Sequence, residues 1–429
     1  MSIPTGCPFH ARSLPGDGTP LKPSPRLAQW RDEAAFMPLD FQDGHEGLVA
    51  TRYDAAVSVL QDRRFSMRPS RMPVGPDSPT AEGEAGDAGS HGEHAHAATA
   101  DAEAVPLELP GDLDEAGRAS DELNLLNLDG EEHSKLRRAV MPRFSVRQAR
   151  GREPWIRAMI ADQIAQLRTR GPVVDLWRDY AMHISARTHC HVIGIPDHHY
   201  DTFVTLFVEA STAQQKYDFI RMLLAERTDD PGDDVITDLL ANPDLDRVEV
   251  EGLLRLLMGA GRDSVAYLIA TASVALLTHP EQLALLRDDP EKVRPAVEEF
   301  MRSGAMFVTL FARTATEDVE IEGTLIPAGT SVAVSPVAAN RDPAHWAGDP
   351  EPFDVTRDAF GHLGFGYGIH GCIGQQVARV EIREAITALL EAFPEITLVD
   401  AEQLEPQPFA HPVAVYEAGT VSARLEPAA

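Results

Sequence analysis

The stretch Val248–Pro280, VEVEGLLRLLMGAGRDSVAYLIATASVALLTHP, is the longest apolar pattern in the chain, about eight helical turns interrupted near the middle by GAGRDS. A helix that is apolar on so many sides cannot rest on a surface, so this segment predicts a helix crossing the core. The other elements must wrap around it. Charged Arg262 and Asp263 at its midpoint then require a reason, because burying charge is costly unless it is paired.

The flanking sequence predicts mostly helices with small β-sheets. Near the start, GLVAT reads as a strand and YDAAVSVLQD as a helix with one apolar stripe. A helix-dominated region opens at DGEEHSKLRRAVMPRFSVRQ and runs to about Pro290, divided by Pro196 and by the DDPGDD turn at Asp229–Asp234. A second amphipathic helix, DPEKVRPAVEEFMRSGAM, follows, and then short strands punctuated by Gly and Pro in VEIEGTLIPAGTSVAVSP. The helix CIGQQVARVEIREAITALLEAF and hairpin-like segments complete the chain to Ala429.

One region reads differently. From Met72 to Gly117 there are eleven acids and no Lys or Arg among small and polar residues. Such a tract cannot bury enough apolar surface to order itself, so residues 72–117 are expected to form a mobile acidic loop. His91, His94 and His96 lie within it and could bind a metal, but a solvated run is the stronger reading.

Lys+Arg 38 against Asp+Glu 67 gives a net charge of −29, which would repel nucleic acid and anionic membrane alike. The N-terminal sequence lacks a signal-peptide apolar core, and no run of about 18 apolar residues occurs, so a cytoplasmic location is expected. Cys7, Cys190 and Cys372 are too few and too scattered for a disulfide framework or a zinc site.

Cys372 stands in FGYGIHGCIG, four glycines and one thiol within ten residues, directly before an amphipathic run. Glycines permit positive φ and close backbone approach, so the segment predicts a shaped loop presenting sulfur. The G-x-G-x-x-G pattern at Gly366–Gly371 also fits a dinucleotide fingerprint, but the flanks lack the required βαβ context. A surface loop with an inert cysteine is the plain alternative. Elsewhere, Glu299 and Arg302 share a helix face at a spacing of three, and His133 and Arg137 do so at four. Arg313 and His362 fall in strand or loop. Each is unremarkable alone. Together they suit a haem: a thiolate for the iron, and cations for the two carboxylates that haem carries.

The segment FGYGIHGCIGQQVARVE resembles the cysteine-ligand signature of the cytochrome P-450 superfamily. EEHSKLRR, GAGRDS, the Glu-x-x-Arg of VEEFMR, RTATEDVEIEG, GHLGFG and the meander-like NRDPAHWAGDPEPFDVTR extend the resemblance across residues 46–425. It implies a single domain over 1–429 with the cytochrome P-450 fold, and haem b as cofactor. It makes Cys372 the axial thiolate bound to the metal and Phe365 the aromatic packed over the loop. His133, Arg137, Arg313 and His362 become partners of the haem carboxylates, and Arg357 joins Glu299 and Arg302 in a buried network.

Two departures bear on function. Where the superfamily carries an acid and a threonine in the distal helix, this chain has Asp263 and Ser264, which keep an acid and a hydroxyl for proton delivery. Arg262 beside them is expected to face solvent or an acid of an adjacent helix. The segment Val192–Asp234, where the family has two roof helices, is short, which implies a wide mouth and a large or peptide-like substrate. The resemblance implies a monooxygenase of the soluble bacterial type, fed by ferredoxin and ferredoxin reductase or an equivalent donor. It would tailor a secondary metabolite by hydroxylation or by oxidative aromatic coupling. The alternative is a catalytically silent haem-fold protein that recruits or senses.

Overall fold

The computed structural model describes residues 12–69, 71, 73–74, 112–208, 211–399, 415–416 and 418–426. The long apolar segment forms two helices, Arg247–Ala260 and Arg262–Thr278, meeting at Gly261. Every residue from Val265 to Leu276 is buried, so the second of them does cross the core. It packs against Met182–Ile193 and against Gln375–Ala392, which in turn lies along the 24-residue helix Val146–Thr169. Ala266 and Ala270 are fully enclosed in these contacts. Adding methylenes at either position would force neighbours off their rotamers, at a cost of about 1–3 kcal/mol.

The break at Gly261 has a packing cause. A Cβ there would stand 2.5 Å from Nδ1 of His189, which projects from the helix Met182–Ile193, so only glycine fits. Upstream, Asp246 and Glu249 form a reciprocal capping box at the entry of Arg247–Ala260.

The roof segment folds as two helices, Tyr200–Val208 and Ala213–Asp229, the latter opened by a Thr212–Gln215 capping box. The acidic tract 72–117 lies outside the described residues except at its ends. Its end is not a loop: Asp114 caps a helix, Glu115–Glu122, through the amide of Gly117. Arg221 on the second roof helix grips Asp114 at 2.7 Å, and that hydrogen bond holds the carboxyl down at about 2.

A five-stranded sheet covers one side in the order Phe36–Asp40, Glu46–Ala50, Ser331–Val334, Leu310–Ala315, Phe65–Ser66. Leu48 lies opposite Val332 in the parallel pair, and all other pairings are antiparallel. The register shifts between Leu310 and Arg313, an irregularity of the kind that re-aims side chains, and Arg313 leaves the strand just beyond it. The helix Tyr53–Gln61 packs with this sheet in a second apolar cluster. At the C-terminal end, Ser422–Arg424 pairs with Thr397–Leu398 and also with Val173–Asp175, so the expected hairpin is part of a three-stranded sheet.

Candidate active site

Two short 3-10 turns, Leu363–Phe365 and Gly368–His370, shape the cysteine loop. Gly366 and Gly368 have φ of 66° and 70°, where a side chain would be strained. At Gly368 a Cβ would also stand 2.6 Å from the carbonyl of Leu60, so the loop lies directly on the helix Tyr53–Gln61. The amide of Cys372 donates to the carbonyl of Phe365 at 2.8 Å, which folds the loop back on itself. Cys372 is exposed as a residue, yet protein atoms crowd its thiol. That crowding pushes the thiol up. The amides of Gly374 and Gln375 and the charges of Arg137 and Arg379 pull the other way, toward thiolate.

Beside the loop, four basic side chains converge. The rings of His133 and His370 are 4.2 Å apart, and Arg137 donates to the carbonyl of Gly371 at 2.6 Å. Arg313, buried, reaches only the sulfur of Met67 and the carbonyl of Val59, both at 3.4 Å. Among the described residues, neither ring nitrogen of His133 has a hydrogen-bond partner, nor does Nε2 of His370, and all three atoms are buried. The carboxylate of Asp129 stands 3.9 Å from His370. Burial, then the charges of the neighbouring bases, depresses His370 to about 3, and burial brings Arg313 down to about 10. A cleft of about 600 Å³ runs along His133, Arg137, Met141 and Ile369. Another surface cleft, lined by Asp54, Asp62, Arg64 and Glu320, shares no residue with this cluster. Buried donors without acceptors are expensive, and here they are gathered at one spot. A pair of carboxylates would satisfy them.

His362 does not join this group. Its Nδ1 accepts the amide of Gly364 at 3.0 Å and its Nε2 lies 3.1 Å from Glu298, so both ring nitrogens are spent within the chain. The place assigned to it among the donors is occupied by His370. The sequence did carry a signal: His370 stands two residues before Cys372 in the same glycine-shaped loop, and so must emerge beside the sulfur. Glu298 also binds Arg379 at 2.6 Å, and Arg379 covers the Phe365 ring at 4.5 Å. Those two bases hold Glu298 down at about 2 despite its burial. Phe365 is thus clamped at the loop.

The neighbouring Glu299 organises a separate network. Arg302 forms a bidentate pair with it at 2.7 and 2.8 Å and donates to the carbonyls of Asn340 and Pro350. Arg357 approaches the same carboxylate at 3.6 Å, and the amide of Asp354 donates to it at 3.0 Å. Glu299 and Arg302 are wholly buried.

On the core helix, Arg262 is buried rather than solvent-facing, and its acid is the adjacent Asp263. Both carboxylate oxygens of Asp263 accept from Arg262, whose remaining arm donates to the carbonyl of Phe207 on the first roof helix. Ser264 donates to the carbonyl of Ala260 at 3.2 Å. The acid and the hydroxyl are therefore adjacent, and the acid is tied.

A sulfur in a glycine-shaped loop, with unsatisfied bases beside it and a broken core helix, defines the class of thiolate-ligated haem proteins. The sequence model described as Cytochrome P-450 matches residues 172–415. The chain is 32% identical over 397 residues to 6-deoxyerythronolide B hydroxylase of Saccharopolyspora erythraea, covering 88% of this chain and 90% of that one. It is 37% identical over 289 residues to vitamin D(3) 25-hydroxylase of Pseudonocardia autotrophica, covering 64% and 71%. The solved structure of CYP105P1 in complex with filipin I superimposes with a TM-score of 0.80 at 28% identity, covering 98% of this chain and 100% of that one. The chain belongs to the cytochrome P-450 family. It is a monooxygenase of that family, of the bacterial type, with haem b bound through a cysteine thiolate as its cofactor. Among the described residues, no helix is long and apolar enough to cross a membrane.

Proposed function

We propose that this monooxygenase hydroxylates a large bacterial secondary metabolite, with electrons from a ferredoxin and its reductase or an equivalent donor. Hydroxylation is favoured over aromatic coupling because the curated relatives include named hydroxylases. A large substrate agrees with 6-deoxyerythronolide B and filipin I in the names of its relatives. The observation that carries the site reading is the set of buried, unpartnered nitrogens of His133 and His370 beside Cys372.

In this reading Cys372 supplies the thiolate, and His133, Arg137, Arg313 and His370 hold the two carboxylates of the cofactor. When bound, haem supplies the activation of dioxygen. The amides of Gly374 and Gln375 favour the ionised sulfur against the burial that pushes the thiol up, and the chain governs protons at Asp263 and Ser264. Because Arg262 occupies both oxygens of Asp263, a proton can pass through that carboxylate only when the pair opens. Arg262 also touches the roof at Phe207, so movement of the roof and release of the acid are mechanically linked.

The test begins with the absorption of the reduced, carbon-monoxide-bound protein and of Cys372→Ala. The wild type should give the thiolate-type band, and the variant should lose it while retaining its helical content by circular dichroism. An unchanged band in the variant removes Cys372 from the site. Turnover of 6-deoxyerythronolide B and other large polyketide or sterol substrates with a surrogate ferredoxin system then tests hydroxylation. A thiolate band with no product and no substrate-dependent electron consumption would favour the catalytically silent reading.

A further inference from the structure

Outside this site, three metal-competent side chains converge where the two roof helices meet. Pro196 leads into a 3-10 turn, Asp197–His199, immediately before the first roof helix, and this turn places His198 and His199 side by side with ring centroids 4.1 Å apart. Glu226 lies in the last turns of the second roof helix. Both histidines present Nε2 to this one carboxylate, but to different oxygens: His198 at 3.5 Å from Oε1 and His199 at 2.9 Å from Oε2. The three ligand atoms all lie within 4.8 Å of one another.

A single ion pair would need one histidine. The second gains little as a structural contact, because the His198 side chain is 66% exposed and such pairs contribute little in water. Convergence has a different value for a metal. Ligand atoms about 2.0–2.2 Å from a tetrahedral ion stand roughly 3.3–3.6 Å from each other, and the two histidines stand 3.5 and 2.9 Å from the carboxylate with all three atoms within 4.8 Å, so small side-chain shifts would reach that spacing. His199 is mostly buried, and its ring meets Phe219 edge-on at 6.0 Å, which fixes its direction. The His198 side chain is 66% exposed, so solvent can supply a water as fourth ligand. Arg227, the next residue after Glu226, turns away to Asp234 and the carbonyl of Gly194 and does not crowd the carboxylate.

We propose that His198, His199 and Glu226 form a divalent transition-metal site, best suited to zinc, that clamps the entry of the first roof helix to the end of the second. Two imidazoles and one carboxylate with an open position suit zinc and its borderline neighbours, whereas magnesium and calcium prefer all-oxygen sites. The clamp lies at the end of the helix pair remote from the connection between them, so binding would restrain the pair without touching the haem cleft.

The experiment is equilibrium dialysis of the haem-loaded, full-length protein against buffered zinc chloride, with metal analysis and amide hydrogen exchange. Wild type should hold one zinc per chain, and His198→Ala and Glu226→Gln should each weaken it more than about 100-fold, beyond the roughly 10–100-fold that loss of a supporting contact costs. A variant with His91→Ala, His94→Ala and His96→Ala should hold zinc as wild type does. Zinc should slow amide exchange in 200–208 for wild type and leave His198→Ala unchanged. Absence of bound zinc, wild-type affinity in both site variants, or loss of zinc in the His91, His94 and His96 variant would each overturn the site. His198 is exposed, so its replacement does not threaten the fold.

Discussion

Two groups of buried charge lie on either side of the cysteine loop, and they are built in opposite ways. In the group around Glu298 and Glu299, the bases find acceptors within the chain: Arg302 on Glu299 and two carbonyls, His362 and Arg379 on Glu298. In the group around His133, His370 and Arg313, both ring nitrogens of His133 and Nε2 of His370 are buried without a hydrogen-bond partner among the described residues, and Asp129 stands 3.9 Å from His370. A closed network explains itself as structure, whereas an open one requires something that the protein must bind. The contrast separates two histidines that look alike in sequence, His362 and His370.

The largest expected effect lies in the closed group. Glu299→Ala or Arg302→Ala leaves the other charge buried and unpaired, which costs about 3–5 kcal/mol. Denaturation midpoints and haem content should both fall sharply. Wild-type values in both variants would show that the pair carries no structural load, and the contrast would fail.

Asp263 tests a case between the two, since its pair is closed but lies at the break in the core helix. Asp263→Asn should lower product formation by a factor on the order of 10² with KM nearly unchanged, if that carboxylate delivers protons. Product formed per reducing equivalent should fall with it. A variant with wild-type rate and coupling but a lower denaturation midpoint would move Asp263 into the structural group as the partner of Arg262.

The two histidines should then part company. His370→Ala removes a donor from the open group and should weaken haem retention by about 10-fold or more, the value of one charge-assisted hydrogen bond of about 1.5–3 kcal/mol. His362→Ala should instead lower stability through the loss of its bonds to Glu298 and Gly364. Haem transfer to apomyoglobin measures the first effect and denaturant midpoints the second. Equal haem loss from both variants would dissolve the distinction.

The smallest effect is a pH dependence at the helix break. Burial first, then the charge of Arg262, depresses His189 to about 4, while the unfolded side chain titrates near about 6.5. Between those values the unfolded state holds the extra proton, so stability falls as pH drops from about 6.5 toward 4. His189→Gln should show a shallower fall over that window than wild type. Parallel curves would mean that His189 takes up a proton in place.

Local pattern carried a good deal. The strand GLVAT and the helix YDAAVSVLQD are Glu46–Ala50 and Tyr53–Gln61, because both are specified by spacing within a few residues. The interruption in the core helix was legible from GAGRDS, and the trio Glu299, Arg302 and Arg357 from the family pattern. Partner choice was not legible. Arg262 could have faced solvent or a neighbouring helix, but the glycine joint turns it inward, where Phe207 offers a carbonyl.

By itself the sequence determined the long helices, that one of them must be buried, and that a thiol stands in a glycine-shaped loop, since each follows from residues near one another in the chain. The tertiary structure alone decided which bases remain without acceptors. His133 and His370 are 237 positions apart, and whether such groups are satisfied depends on atoms that only folding brings within 3 or 4 Å. The same holds for His199 and Glu226, whose contact exists only because two roof helices pack side by side.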